Sequence, residues 1–274
     1  MPNANVQWTR FPTGQDIVRS FASSSVDVAG LGSTPSAKAL TSPLDLNVSV
    51  NQVNARIEAS EALVAKEGNS VRDLRGKTIA VPFSSTSHYS LLNALRRAGL
   101  DPKKDVTVTN VSPDHLPAAW ASDQIDAAYV WEPTLSNIKA SGTIITDSAR
   151  VARQGAATYN VTLADNDWSR TNSALLSTWT ALQNWAAQEY RNNPDSFTEA
   201  IAAQSGISKE SARIQLGGSH FYTSTEQPQA LEDVKGALFD TAEYLHSEGE
   251  VDEPASQRHY QEAVRYNDGE DSVK

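Results

Sequence analysis

The sequence predicts an α/β protein, on three observations. Lys77 to Gly99 (KTIAVPFSSTSHYSLLNALRRAG) reads as a β-rich run, a loop dense in hydroxyls, and a helix closed by glycine. Val26 to Pro35 repeats that order: a strand, then Gly-Leu-Gly-Ser-Thr-Pro, then a short helix. Between and after these junctions, strands and helices alternate as far as Thr146, a pattern that implies a parallel sheet covered by helices on both faces.

Taken in order, residues 1–5 read as an unstructured lead, and Val6–Phe11 alternates as a strand does. Thr13–Ser25 carries Ile17, Val18 and Phe21 on one helical face. Val26–Leu31 is the next strand, after which Thr34 fits an N-cap and Pro35 the first helical position. Leu44–Val50 and Ala62–Ala65 are strands, and Lys66–Arg75 is polar and turn-rich, as a linker would be. Lys77–Val81 is the strand that Pro82 stops. In the helix after it, Tyr89, Leu91, Leu92 and Leu95 recur at helical spacing, and Arg96 and Arg97 suit the negative pole. Val106–Val111, Ala127–Val130, Thr143–Thr146 and Thr158–Ala164 are further strands, with helices at Pro113–Ser122 and Thr134–Ala140. Beyond them the chain turns helical over Ser173–Asn192 and Gln229–Ser247, whose apolar stripes place Trp179 and Trp185 in the core. Asn267–Lys274 is a polar tail, expected to be loose.

Composition narrows the function classes. The chain has 274 residues, enough for one large domain or two smaller ones. Its net charge of −10 argues against a nucleic-acid partner, because phosphate binding draws on Lys and Arg. It has no cysteine, which removes disulfides, zinc–thiolate sites and thiol nucleophiles. No apolar run approaches the ~20 residues that cross a bilayer. No signal peptide stands at Met1, so the chain is either cytoplasmic or given without its export segment.

The two strand–hydroxyl–helix junctions are the features with chemical content. A helix start leaves backbone N–H groups unpaired and carries partial positive charge, so it favours an anion. Ligands of such sheets bind beyond the carboxyl ends of the strands, where Ser33, Ser85 and Glu132 all fall. The plain alternative is that these hydroxyls only cap their own helices.

IAVPFSSTSHYSLL (79–92) and AAYVWEPTL (127–135) resemble the taurine-binding proteins of ABC importers, and more widely the binders of aliphatic sulfonates, nitrate and thiamine precursors. VQWTRFPTGQDIVRSFASSSVDVAGLGSTP (6–35), SEALV (60–64), TYN (158–160) and GGSHFYTSTEQ (217–227) add to the resemblance, which covers nearly the whole chain. It implies a type II periplasmic-binding-protein fold with two α/β lobes closing over a small ligand. One lobe would hold residues 1–65 and 158–274 and the other 66–157, with crossovers near 63–66 and 158–163. It also implies a monomer in the periplasm or at the cell surface, with lipid anchoring left open, a membrane-embedded ABC permease as partner, and no cofactor. Such proteins ordinarily carry a further strand and helix ahead of Val6, roughly 25–30 residues by what a βα unit needs. This chain is therefore expected to lack the first strand and helix.

A taurine-like ligand has a sulfonate at one end and an ammonium at the other. The resemblance assigns the sulfonate to Ser33 and Thr34 and to Ser85, Thr86, Ser87 and His88. The ammonium asks for a carboxylate in a partly dry site. Glu132 is the first choice and Glu61 the second, the alternative for Glu61 being an inter-lobe salt bridge. Trp131, Phe83 and Tyr159 would form walls, with core packing the alternative for Trp131. Asn160 stands where many taurine binders have an aspartate, in a TFD segment. It accepts a hydrogen bond but brings no charge, which leaves room for a sulfonate other than taurine.

The rival class is an enzyme of the same fold, similar to synthases of the thiamine pyrimidine precursor. The sequence offers no GxSxG elbow, P-loop or HExxH. Its five histidines are scattered without metal-ligand spacing, and Ser87 and His88, as neighbours on a helix, point about 100° apart. A ligand-sensing domain similar to LysR-type regulators would need a helix-turn-helix segment, and none precedes Val6.

Overall fold

Two β-sheets organise the molecule. The structure is a computed structural model and describes residues 5–266. The chain runs α1 (Gly14–Ala22), β1 (Val28–Gly32), α2 (Ser33–Ala39), β2 (Val48–Ile57) and β3 (Glu61–Ala65). It continues β4 (Thr78–Val81), α3 (Thr86–Arg97), β5 (Thr107–Asn110), α4 (Leu116–Ala121), β6 (Ala127–Trp131), α5 (Thr134–Lys139), β7 (Thr143–Asp147) and α6 (Ser148–Arg153). It ends β8 (Tyr159–Asp165), α7 (Asn166–Thr171), α8 (Ser173–Asn192), α9 (Pro194–Ser205), α10 (Lys209–Gly217), β9 (Ser219–Phe221), α11 (Gln227–Ser247) and α12 (Gln257–Glu262).

The chain divides into two units, one drawn from residues 1–56, 159–200 and 221–274, the other from 57–158 and 201–220. Residues 57–65 and 201–220, expected in the first lobe, belong to the second unit. The physical reason for the first shift is that β3 hydrogen-bonds β6 and β7. The chain therefore crosses at 56–57, ahead of the expected 63–66, and returns at 158–159.

The first sheet has the order β1-β8-β2-β9, with β8 antiparallel to both β1 and β2. β2 is bulged, with register shifts between Val50 and Gln52 and between Val53 and Ala55. Gln227 makes up for the interrupted ladder: its Oε1 accepts the Val53 N–H at 3.1 Å and its Nε2 donates to the Val53 carbonyl at 2.7 Å. In α1, Thr13 caps the helix by accepting the Asp16 N–H, and Val18 and Phe21 are buried.

The second sheet has the order β5-β4-β6-β3-β7. β4 pairs in parallel with β5 and β6, whereas β3 is antiparallel to β6 and β7. All five residues of β3 are buried, as befits a strand with neighbours on both sides. One face packs Ala62, Val64, Ala80, Ala128 and Val130 against Leu116 and Trp120 of α4 and Leu135 and Ile138 of α5. Gly142 is obligatory beside this core: a Cβ there would lie 2.6 Å from the Val64 side chain and 2.8 Å from Trp120.

Several expectations change. Neither sheet is parallel throughout: β8 runs antiparallel to both its neighbours in the first, and the second is mixed, because hydrophobic periodicity marks a strand but not its direction. Val6–Phe11 pairs with no strand among the described residues; Trp8 is 77% exposed and leans on Trp179, ring centroids 5.7 Å apart. Trp185, expected in the core, is 60% exposed on α8, and Trp179 is half-buried. Residues 41–45 form a turn, with the N–H groups of Leu44 and Asp45 both bonded to the Thr41 carbonyl, so β2 begins at Val48 and not Leu44. α6, α7, α9, α10, α12 and β9 were not anticipated. The expected lead, up to residue 4, and the tail Asn267–Lys274 lie outside the described residues.

Candidate functional site

The β4–α3 junction of the second unit holds the densest group of buried polar side chains. Ser84 takes a left-handed turn (φ 53°) and brings Ser85 to the N-cap of α3. The Ser85 hydroxyl accepts the His88 N–H at 3.1 Å and donates to the Pro82 carbonyl at 2.5 Å. It is thus engaged in holding its own loop and helix. His88 stacks on Phe83 (4.6 Å, 6° between planes), and its Nδ1 accepts the Ser84 N–H at 3.3 Å. The Phe83 N–H is fixed by the Asn110 side chain at 3.0 Å.

Thr86 turns toward β3. Its hydroxyl donates to Glu61 Oε1 at 2.6 Å. The Ser148 hydroxyl donates to Oε2 at a longer 3.5 Å, and itself lies 3.0 Å from the Tyr129 hydroxyl and 3.4 Å from Ser90 Oγ. Glu61 is 4% exposed, and among the described residues no cation pairs with it. Burial pushes its carboxyl up to about 7 against an ordinary 4.5, and the hydroxyls of Thr86, Ser87 and Ser148 offset part of that. The Ser87 hydroxyl contributes through its proximity; its geometry falls short of a hydrogen bond, and it remains fully buried without a partner. Burial raises Tyr129 as well, so that it stays a neutral donor and acceptor.

Glu132 is differently placed. Its side chain is 4% exposed and already paired: Lys139 Nζ lies 2.9 Å from Oε1, and the Ser136 N–H donates to Oε2 at 2.9 Å. It closes the first turn of α5 and carries no free charge. Trp131 sits opposite Glu61 in the β3–β6 ladder but is only half-buried and packs against the Ala62–Leu116–Leu135 core, which favours the packing alternative for it.

In the first unit the β1–α2 junction gathers a smaller set. Gly32, extended, is the N-cap, so Ser33 opens α2 and Thr34 and Pro35 lie inside it; the cap falls two residues before the expected Thr34. The Ser33 hydroxyl accepts the Tyr159 N–H at 3.2 Å. Thr34 Oγ1 is fully buried without a partner. Asn160 stands opposite Gly32 in the ladder and is exposed, while Tyr159 is buried.

The structure thus joins Glu61, Thr86 and Ser87 in one group, and Ser33, Tyr159 and Asn160 in another. It separates Glu132 from the first group by committing it to Lys139. Ser148, Ser90 and Tyr129 were missed. A signal for Ser148 was present: it opens α6 directly after β7, the same strand–hydroxyl–helix order as the other two junctions. Among the described residues no three His, Cys, Asp or Glu side chains are grouped to hold a metal ion.

The chain is 35% identical over 269 residues to the taurine-binding periplasmic protein of Escherichia coli K12, covering 95% of this chain and 82% of that protein. Two solved structures share the fold. The alkanesulfonate-binding protein SsuA of Xanthomonas axonopodis pv. citri, bound to MOPS, superposes with a TM-score of 0.78 at 21% identity, over 97% of this chain and 89% of that one. The periplasmic aliphatic sulphonate binding protein SsuA of E. coli gives 0.75 at 22% identity, over 94% and 87%. Residues 4–202 match the NMT1-like family, and with so much of the chain covered the protein belongs to that family.

Proposed function

We propose that this protein is the solute-binding component of an ABC-type importer and takes taurine or a related small aminosulfonate. The observation that carries this reading is the buried, cation-free carboxylate of Glu61 beside unengaged donors at a helix start. A sulfonate stays ionised at every physiological pH and asks for several N–H and O–H donors. Ser87, with the Thr86 and Ser87 N–H groups that open α3, supplies them in one unit, and Ser33 and Thr34 are the donors of the other. The ammonium goes to Glu61, with Asn160 as a neutral acceptor; Glu132 is left out because Lys139 already neutralises it. Phe83, stacked on His88, and Tyr159 serve as walls. Ser85 positions the helix rather than touching the ligand.

The role is binding and delivery to a membrane permease, without chemistry, by a monomer at the periplasmic or outer face of the membrane. Among the described residues no helix is long and apolar enough to span one. Calorimetry against taurine, ethanesulfonate, nitrate and sulfate tests the reading. Taurine is expected to bind, and Ser87→Ala and Thr34→Val each to weaken it by roughly tenfold, one hydrogen bond to a charged group. Taurine affinity unchanged by either would remove the two junctions from the site, and turnover of any of these ligands would establish an enzyme instead.

A further inference from the structure

We propose that Glu61 makes binding proton-coupled and selective for an ammonium: an aminosulfonate drives one proton off this carboxyl into solvent, while a sulfonate without an ammonium drives off none. The inference rests on the sulfonate-binding reading above and deepens it.

The geometry around Glu61 accommodates both protonation states. When the carboxylate is ionised, Thr86 and Ser148 donate to its two oxygens, and the Tyr129 hydroxyl can donate to Ser148. When it is protonated, its O–H can donate to Ser148 Oγ, which then turns its own proton to Ser90 or Tyr129. Hydroxyls rotate, so the chain of donors reverses without any heavy atom moving. A lysine or arginine partner would have fixed the carboxylate in its charged form; Lys139 does this for Glu132. Among the described residues Glu61 has none, and with burial pushing its carboxyl up to about 7 it exchanges its proton in the neutral range.

The titratable groups on the surrounding elements do not replace that missing cation. On β6 there is Tyr129, which stays neutral. On β7, Asp147 opposes Ala62, caps α6 and pairs with Arg150. On α3, His88 is stacked on Phe83 and uses Nδ1 as an acceptor, and the Tyr89 side chain is buried. On α5, Lys139 is held by Glu132. Beyond Gly218, whose carbonyl accepts the Ser60 N–H, the next ionisable group is His220. A ligand ammonium reaching Glu61 would be its first full positive partner. It would favour the ionised form and expel the proton; ethanesulfonate would leave the carboxyl neutral.

Titration calorimetry of the wild-type protein at pH 6, in buffers of low and high ionisation enthalpy, reads the proton count directly. Taurine is expected to release close to one proton and ethanesulfonate none. Taurine affinity should rise about tenfold from pH 6 to pH 8, as the ionised fraction does for a group near 7. Glu61→Gln should abolish both the proton release and this pH dependence while ethanesulfonate still binds. Taurine binding at pH 6 with no proton released would overturn the proposal and leave the sulfonate reading intact. Proton release that persists in Glu61→Gln would do the same, by moving it to another group. If neither sulfonate binds, the underlying reading fails and the proposal with it. The wild-type measurement stands even if the variant does not fold.

Discussion

Glu61 and Glu132 sit at neighbouring strand ends and both bury their carboxylates, yet they are opposites. Glu132 has Lys139 at 2.9 Å and an α5 backbone N–H on its other oxygen. Among the described residues Glu61 has only hydroxyls. A buried charge that carries its own counter-ion contributes to the fold; one that lacks it is held against an energetic cost and is available to a ligand's cation. The contrast also explains why the nearer-looking sequence candidate is the poorer one. Glu132 follows a strand end beside a tryptophan, which is a reasonable signature for a binding residue, but Lys139 lies seven residues on, and only the α5 turn brings the two together.

The largest test of this contrast is the pH dependence of stability. The folded-state carboxyl of Glu61 is raised from 4.5 to about 7, so the folded protein holds that proton more tightly than the unfolded chain. Below about pH 4.5 both states are protonated and there is no penalty. The penalty grows as pH rises from 4.5 to 7 and is complete above that, at about 3 kcal/mol for a shift of this size. Glu61→Gln should therefore be more stable than the wild type at pH 8 and nearly equal to it at pH 4.5, measured by urea unfolding across the range. A variant that is destabilised at pH 8 would mean that the carboxylate stabilises the fold, and would erase the difference from Glu132.

Lys139→Met probes the other member. It strips the counter-ion from a carboxylate whose side chain is 4% exposed, and should cost about 1–2 kcal/mol. The effect is kept below that of a fully buried pair because Lys139 itself is about a third exposed. Taurine affinity should not change. A loss of affinity comparable to that of Glu61→Gln would return Glu132 to the binding site.

Much of this arrangement was legible in the sequence, and the gaps have physical causes. The β4–Ser85–α3 junction could be read because a strand, a capping hydroxyl and an apolar helical stripe are all local signals. α8 and α11 were equally plain from their stripes. The Thr86–Glu61 bond could not be read, since it spans 25 residues and depends on β3 lying beside β6. The same pairing moved residues 57–65 into the second unit. Val6–Phe11 failed for a related reason: alternation is necessary for a half-buried strand but does not supply a partner to pair with. Trp185 shows that a residue on a helical stripe is buried only if something covers that stripe.

The finest distinction lies within one turn of α3. Ser85 and Ser87 are both buried serines two residues apart, but Ser85 is engaged at both its donor and its acceptor, while the Ser87 hydroxyl has no partner. Ser85→Ala should lose about 1 kcal/mol with the N-cap. Ser87→Ala removes an unsatisfied buried group, so the ligand-free protein should be unchanged or slightly more stable. In affinity the order reverses, because Ser87 has a donor free for the ligand and Ser85 does not. Thermal melts with and without taurine separate the two effects: the Ser85 variant should melt lower while keeping its ligand-induced shift, and the Ser87 variant should melt normally with that shift reduced. Equal stability losses in the two variants would mean that Ser87, too, is only a structural part of the helix start.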